Sequence, residues 1–436
     1  MYWKLLREKF EAKPGSAGMM RFWRSGTVTG FVIVLLVAGA AFAYIENGKG
    51  NYSRLKRHLA PVRQPVSPEI HPGGQAPIVL ERSVLPGSLA PEFISATLLP
   101  GRGMDVLQIT ANLPEKGEVE LLAGPDLATA NAAMTGVNED SDGQADLNGG
   151  GAFLTPWAGS LGGMLSNDQK EVGVTWRGKI FNVPANTVES AVPSAFGGLL
   201  LKQSSDNAEQ DAMPDGGSAT ATFNTDDFDG RWPSKSETKV FVLLSGRSME
   251  MTVDVKNVGT EVLPAGIGWA PRFAIVSGDR AHAMLHLPAE DRSVGRDQRT
   301  AMPSGKIEAV TGTRYDFNAR QGVALGSIGL DDTFVHLKTQ LDEGPVIELR
   351  DPGSNLGMKI TALSPSIKAI HVFAPADASY VSISPQTNVD DPFGKEWAKA
   401  EDTGMAMLQP GQTLEWKIRV ELFALETGGP MTGGTN

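Results

Sequence analysis

Residues 249–275 read MEMTVDVKNVGTEVLPAGIGWAPRFAI, and their first third already states a fold class. Met249, Met251, Val253 and Val255 alternate with Glu250, Thr252, Asp254 and Lys256. Successive side chains of a strand point to opposite faces, so a period of two marks a half-buried antiparallel strand, apolar on one side and charged on the other. The pattern returns at 414–422, where Leu414, Trp416, Ile418, Val420 and Leu422 alternate with Glu415, Lys417, Arg419 and Glu421. Two shorter runs, VFVLLSG at 240–246 and IKAIHVFAP at 367–375, are dominated by apolar residues and read as fully buried strands. Turn signals such as PGRG, NVGTE, DPGSN and QPGQ recur between such runs. No segment reads as a strand–helix–strand crossover, which disfavours a parallel α/β sheet and leaves an all-β architecture.

Bulk composition agrees. The 436 residues include 50 Gly and 28 Pro with only 20% charged residues, a profile suited to many short strands joined by turns. No cysteine is present, which excludes disulfides, thiolate nucleophiles and Cys-based zinc sites. Charge is divided unevenly along the chain. Residues 1–75 carry a surplus of seven positive charges, and the remainder carries −18. So acidic a body is unsuited to nucleic acid, which requires basic surface to neutralise phosphates.

The basic surplus flanks TVTGFVIVLLVAGAAFAYI at 27–45, nineteen uncharged residues, close to the length of a membrane-crossing helix. Lys4, Arg7, Lys9, Lys13, Arg21 and Arg24 precede it against only Glu8 and Glu11. The positive-inside rule then keeps a leader at 1–26 in the cytoplasm and exports the chain beyond Glu46. The expectation is a single-pass inner-membrane protein whose large domain lies in the periplasm. In the competing reading, Ala41-Phe42-Ala43 ends a cleaved signal, and the domain is released there without residues 1–43. Residues 46–75 are polar and rich in Pro and Gly, and read as a linker. The expected body is 76–427, with a disordered tail at 428–436. Within the body, the acidic stretch 203–236 reads as a long loop with a mobile first half.

Generic catalytic motifs are absent: no G-x-S-x-G elbow, no phosphate-binding G-x-x-x-x-G-K, no H-E-x-x-H and no calcium loop. Of six His, only His282 and His286 are four apart, and their strand-like context favours packing or surface roles over a metal site. No metal or cofactor is expected.

An ordered series of segments carries more information. GGGAFLTPWAGSLGG at 149–163, AFGGLLL at 195–201, GIGWAPRFAI at 266–275, MPSGKIEAVTGTRYDF at 302–317, LDDTFVHL at 330–337, VSISPQTNVDDPFG at 381–394 and MLQPGQTLEWKIRV at 407–420 succeed one another along the chain. In that order they resemble the aldose 1-epimerase (galactose mutarotase) family. The resemblance implies a galactose-mutarotase-like β-supersandwich: large antiparallel sheets packed face to face, with a sugar cleft on one concave face.

It also implies a chemistry that this chain does not carry at the usual places. Mutarotation needs one group to deprotonate the anomeric hydroxyl and another to protonate the ring oxygen. The family uses a Glu base and a His acid, helped by a second His and an Arg. Ser384 stands at the Glu position, Ala270 and Gly197 at the two His positions, and Ser160 at the Arg position. Each lost proton-transfer partner costs about 10²–10⁴ in rate. The resemblance places Trp157 and Trp269 on pocket positions, where aromatic faces stack on sugars, and Asp331 where the family binds sugar hydroxyls. Arg272 stands in place of a Tyr and is a candidate to replace a lost charge; Gln386 and Asp390 are further substrate-binding candidates, and for them and Asp391 a plain polar loop is the competing reading. For both Trp, a core position is the competing reading, and for Asp331 an ordinary turn is. The functional expectation is a sugar- or glycan-binding protein, weakly active or inactive as a mutarotase. The alternatives are an active epimerase working through Asp331, Asp390 or Arg272, and a structural envelope protein without a ligand.

Overall fold

The computed structural model describes residues 70–83, 87–134, 142–187, 194–297, 300–339 and 343–425. The leader, the apolar run 27–45, the linker as far as 69 and the tail 428–436 lie outside the described residues. Among the described residues no helix is long and apolar enough to cross a membrane. The compact unit among the described residues begins at Ile70. The His71 backbone N–H donates to Asn131 Oδ1 at 3.0 Å and Gln75 Nε2 donates to the Ser205 carbonyl at 2.7 Å, which ties these linker residues to the body.

Two large antiparallel sheets dominate the domain, with three small sheets beside them among the described residues. The first runs Ile78–Glu81, Glu92–Leu99, Asp105–Leu113, Gly151–Leu154, Gly268–Ala274, Tyr380–Gln386, Ala369–Ala374, Leu330–Leu337, Ala289–Asp297, Thr300–Ala309, with Gly117–Glu120 added on Asp105–Leu113. The second runs Asn207–Met213, Gly216–Asp226, Ser236–Ser245, Ser248–Asn257, Thr413–Phe423, Leu356–Ala362, Val346–Asp351, Met284–His286, Val323–Ala324. The two strands read from their alternation are direct partners: Met249 faces Val420, Met251 faces Ile418 and Val253 faces Trp416. Their apolar side chains share one face, and burial of that face is what fixes the register.

The core lies between the sheets. Phe273, Trp269 and Phe153 from the first form a chain of ring contacts, and Phe153 meets Trp416 from the second edge-on at 6.3 Å. Two indole N–H groups buried here find carbonyls: Trp269 Nε1 donates to Gly151 at 2.7 Å and Trp416 Nε1 to Pro385 at 3.0 Å.

Three expectations need correction. Residues 203–236 are not a loop: Asn207–Met213 and Gly216–Asp226 form a hairpin closed by the two-residue turn Pro214-Asp215. Its inner strand buries Ala219, Ala221 and Phe223, and small residues at alternate positions suffice for this at the end of a sheet. The buried Arg82 anchors the turn, with Nε donating to Asp215 Oδ1 at 2.8 Å and Nη1 to Glu92 Oε2 at 3.0 Å. The run 240–246 is buried on one face only, through Val240, Val242 and Leu244, while Phe241 and Leu243 are half-buried. The same holds for Ala369–Ala374, where Ile370, Val372 and Ala374 enter the core but His371 and Phe373 turn outward.

Candidate functional site

That outward turn defines a site. Residues paired across neighbouring strands project to the same face, so the registers map the outer surface of the first sheet. One row is Arg272, Ser382, Phe373 and Asp331. The next contains Ser384, His371 and Thr333, beside Ala270 on the adjoining strand. A third is Gly268, Gln386, Ala369 and Val335. The intervening residues Phe273, Val381, Ile383, Ile370 and Val372 face the core.

The loop after Gln386 and the turn around Pro156 close over the third row. Asn388 locks them together: its Oδ1 accepts from the Ala158 N–H at 3.1 Å, and its Nδ2 donates to the Ala158 carbonyl at 2.8 Å. Gly159 has φ +71°, and a Cβ there would lie 2.4 Å from Asp390 Oδ1, so the turn reaches Asp390 only as glycine. Asp390 then accepts the Ser160 N–H at 2.8 Å on Oδ1 and the Thr333 hydroxyl at 2.7 Å on Oδ2. Asp391 Oδ1 accepts the Gly162 N–H at 3.0 Å.

From Thr333 the polar chain continues outward. Thr333 Oγ1 lies 3.1 Å from His371 Nδ1, and His371 Nε2 lies 3.4 Å from Asp331 Oδ1. The Asp331 side chain is 59% exposed, whereas that of His371 is 14% exposed. Asp331 is open at one edge and packed at the other. Desolvation is the largest influence on its carboxyl and raises its pKa; His371 opposes the rise, and Asp390 and Asp332 add to it. Along the first row, Arg272 Nη2 donates to Asn148 Oδ1 at 2.6 Å and its guanidinium lies over Tyr380, 5.3 Å from the ring centroid. The Tyr380 and Phe373 rings lie 6.3 Å apart, giving a half-exposed aromatic strip beside the charged groups.

Arg272 and Asp331 therefore stand on this face. The two Trp do not. Trp269 is wholly buried on the core side of its strand, and Trp157 is buried against Trp232 at a centroid distance of 5.0 Å, so no sugar ring reaches either. The parity of the strand decides this for Trp269, because it precedes Ala270 by one residue. Gln386 and Asp390 are also interior, and act as floor rather than contact surface. Buried with them, Ser160 Oγ, Ser384 Oγ and Gln386 Nε2 have no protein partner. Gly197 has φ +79°, with Leu154 and Leu147 carbons 3.1 and 3.2 Å from where a Cβ would stand, so this position is shaped for glycine and not for His. Ala270 packs against the cluster of Ala152, Leu154, Ala158 and Leu201.

Sequence reasoning missed His371, Thr333, Tyr380 and Asn148. The signal for His371 was present: a polar residue at alternate spacing within IKAIHVFAP. His282 and His286 go separate ways, His282 Nδ1 to Asp279 at 2.8 Å and His286 Nδ1 to the Ala319 carbonyl at 3.0 Å. A cavity of about 510 Å³ opens elsewhere, on the second sheet, between Arg247, Glu348, Lys359, Glu421 and Phe423. Its Lys359–Glu421 pair at 2.7 Å already matches its charges.

No family model and no curated protein matches the chain. Solved structures do. A galactose mutarotase-like protein from Clostridium acetobutylicum superposes with a TM-score of 0.61 at 15% identity, over 79% of this chain and 98% of that one. The fold is that of the galactose mutarotases. A putative aldose 1-epimerase from Escherichia coli K12 gives 0.56 at 15% identity, over 76% and 96% of the two chains. Galactose 1-epimerase from Lactobacillus acidophilus gives 0.54 at 12%, over 80% and 99%. The likeness spans nearly the whole length of each of these solved structures.

Proposed function

We propose that this chain binds a sugar or glycan on the outer face of its first sheet and is held on the exported side of a membrane by residues 27–45. The observation that carries the reading is the half-open group of Arg272, Asp331 and His371 beside the Tyr380–Phe373 strip, on a mutarotase scaffold. Charged and hydroxyl groups beside an aromatic edge suit a ligand with polar rims and C–H faces. The basic leader and uncharged run support the tether. The family's usual acid and base positions hold Gly197, Ala270 and Ser384, none of which moves a proton at neutral pH, so ordinary mutarotase chemistry is not expected from them.

The test is calorimetric titration of the detergent-solubilised full chain with galactose, glucose and glucuronate. Binding of at least one sugar, weakened tenfold or more by Asp331→Ala or Arg272→Ala, is expected. Absence of binding, or binding indifferent to both variants, contradicts the reading. The same chain should remain with the membrane pellet after carbonate washing.

A further inference from the structure

Between Ser160–Leu161 and Ala195–Phe196 the chain forms a small antiparallel sheet of its own, from Met164–Leu165, Glu171–Trp176 and Lys179–Pro184. Its root belongs to the core, where Val172, Val174 and Val183 are buried. Its tip does not. Paired residues share a face, so Trp176 and Phe181 continue the inner side of the hairpin past the core, each half-buried. On the outer side Met164 is 72% exposed and Ile180 59%. Gly173 lies between these two: a Cβ there would stand 3.2 Å from Ile180 Cγ2 and 3.4 Å from the Met164 carbonyl oxygen. Apolar groups thus flank the tip on both faces. Trp176 and Lys179 are joined by the two-residue turn Arg177-Gly178, with φ +47° and +78°. Such a turn favours Asn, Asp or Gly at its first position. Here a cation holds it, 4.6 Å from the centroid of the Trp176 ring. The tip sequence TWRGKIF at 175–181 has two basic residues and no acidic one, on a body that carries −18 beyond residue 75.

The hairpin also springs from the end of the domain at which the chain enters. Gly73 packs on Gly101, whose carbonyl oxygen would lie 2.0 Å from a Cβ at Gly73. The next residue, Arg102, donates from Nε to Asp146 Oδ1 at 3.0 Å, in the short helix Gln144–Leu147. Just before that helix the Asp142 carbonyl accepts from Asn186 Nδ2 at 3.3 Å, two residues past the last strand of the hairpin.

We propose that residues 175–181 dock on the surface of an anionic phospholipid bilayer, the same bilayer that residues 27–45 cross. The inference rests on the membrane tether proposed above. Aromatic rings settle at the level of lipid headgroups, Ile180 and Met164 reach toward the acyl chains, and Arg177 and Lys179 meet the phosphates. Charge complementarity selects this tip, because an acidic body is repelled by the same surface. The linker after the apolar run, 46–69, spans at most about 80 Å when fully extended. A domain confined so close to the bilayer needs only a small patch to settle on it, since the second contact is made at high effective concentration.

The chain has no cysteine, so a single introduced thiol can carry an environment-sensitive fluorophore. Full-length Thr175→Cys and Glu115→Cys variants would be labelled and reconstituted into phosphatidylcholine vesicles with and without phosphatidylglycerol. Glu115 is exposed in the turn at the far end of Asp105–Leu113, the strand that begins beside Arg102, and serves as the control. The expected result is blue-shifted emission from Thr175→Cys when phosphatidylglycerol is present, quenched by brominated acyl chains, with no change from Glu115→Cys. Adding Arg177→Gln and Lys179→Gln should lower the docked-to-undocked ratio about 25-fold, at about fivefold for each basic residue near an anionic surface. Added salt should act in the same direction. A chain that stays in the vesicles after carbonate washing while both labels report water overturns the docking and leaves the tether intact. A chain washed off by carbonate removes the tether and, with it, this inference. A Thr175→Cys label that answers to soluble galactose or glucose and ignores lipid assigns the hairpin to sugar binding and overturns the inference as well.

Discussion

Asp105 sits at 1% exposure with its Oδ1 accepting the Gly151 N–H at 3.2 Å and its Oδ2 without a partner. Nearby, Arg102 is engaged by Asp146, with Nε donating to Oδ1 at 3.0 Å. Burial first, and the Asp146 charge second, hold the Asp105 carboxyl well above the usual carboxylate range. A carboxyl raised on folding lends stability below its unfolded pKa of about 3.9 and loses it as pH rises through the folded value. Asp105→Asn keeps an oxygen for Gly151 and removes that loss. The variant should melt above the wild type at neutral pH and converge with it near the unfolded Asp range, as read by circular dichroism across pH; a lower melting temperature at pH 7 contradicts this account. At this scale the sequence was partly legible. Arg272 and Asp331 lie on the outer face of the first sheet, on segments that the resemblance had singled out. Trp269 was misplaced because a shift of one residue along a strand exchanges core for surface. His371 stayed hidden because its strand neighbours are apolar, and composition averaged over nine residues conceals what alternation would have separated.

The elements that carry the site are strands whose ends are pinned by single side chains. Arg280 donates to the Gly326, Ile328 and Ala374 carbonyls at 2.6, 2.5 and 3.1 Å, which fixes the end of Ala369–Ala374 against the loop before Leu330–Leu337. Asn388 performs the corresponding task for the loop bearing Asp390, and it is wholly buried. Asn388→Ala would leave the Ala158 N–H and carbonyl unpaired in the interior, at about 1–3 kcal/mol for each group. The predicted result is a lower denaturation midpoint together with weaker sugar binding, since Asp390 would no longer hold Thr333 and His371 in line. A variant with wild-type affinity would show that the loop does not position the site. The hairpin at 207–226 was illegible for a different reason. Its outer strand is polar and acidic and its inner strand is mostly Gly, Ala, Ser and Thr with Phe223 as the one large apolar residue, so no run of hydrophobic alternation announces it. Strands with larger apolar residues, such as Ser248–Asn257, declared themselves.

Across the whole molecule, two broad sheets bury a continuous core, and that burial sets which side of each strand is free to meet a ligand. The architecture could be read from period-two alternation and from the order of weak motifs together, because every strand obeys the same geometric rule. Function could not be read in the same way. A fold hosts many chemistries, and the outer face is furnished by residues from separate strands and loops that only the fold brings together. The central claim is that sugar binds at this face. The most direct measurement follows the ring-proton resonances of the six His during titration of the full chain with galactose and glucose, with His371 assigned through His371→Gln. The account predicts a saturable shift of the His371 signal while His282 and His286 stay unmoved. A saturable sugar response that leaves His371 unmoved, or no response from any His, would contradict it.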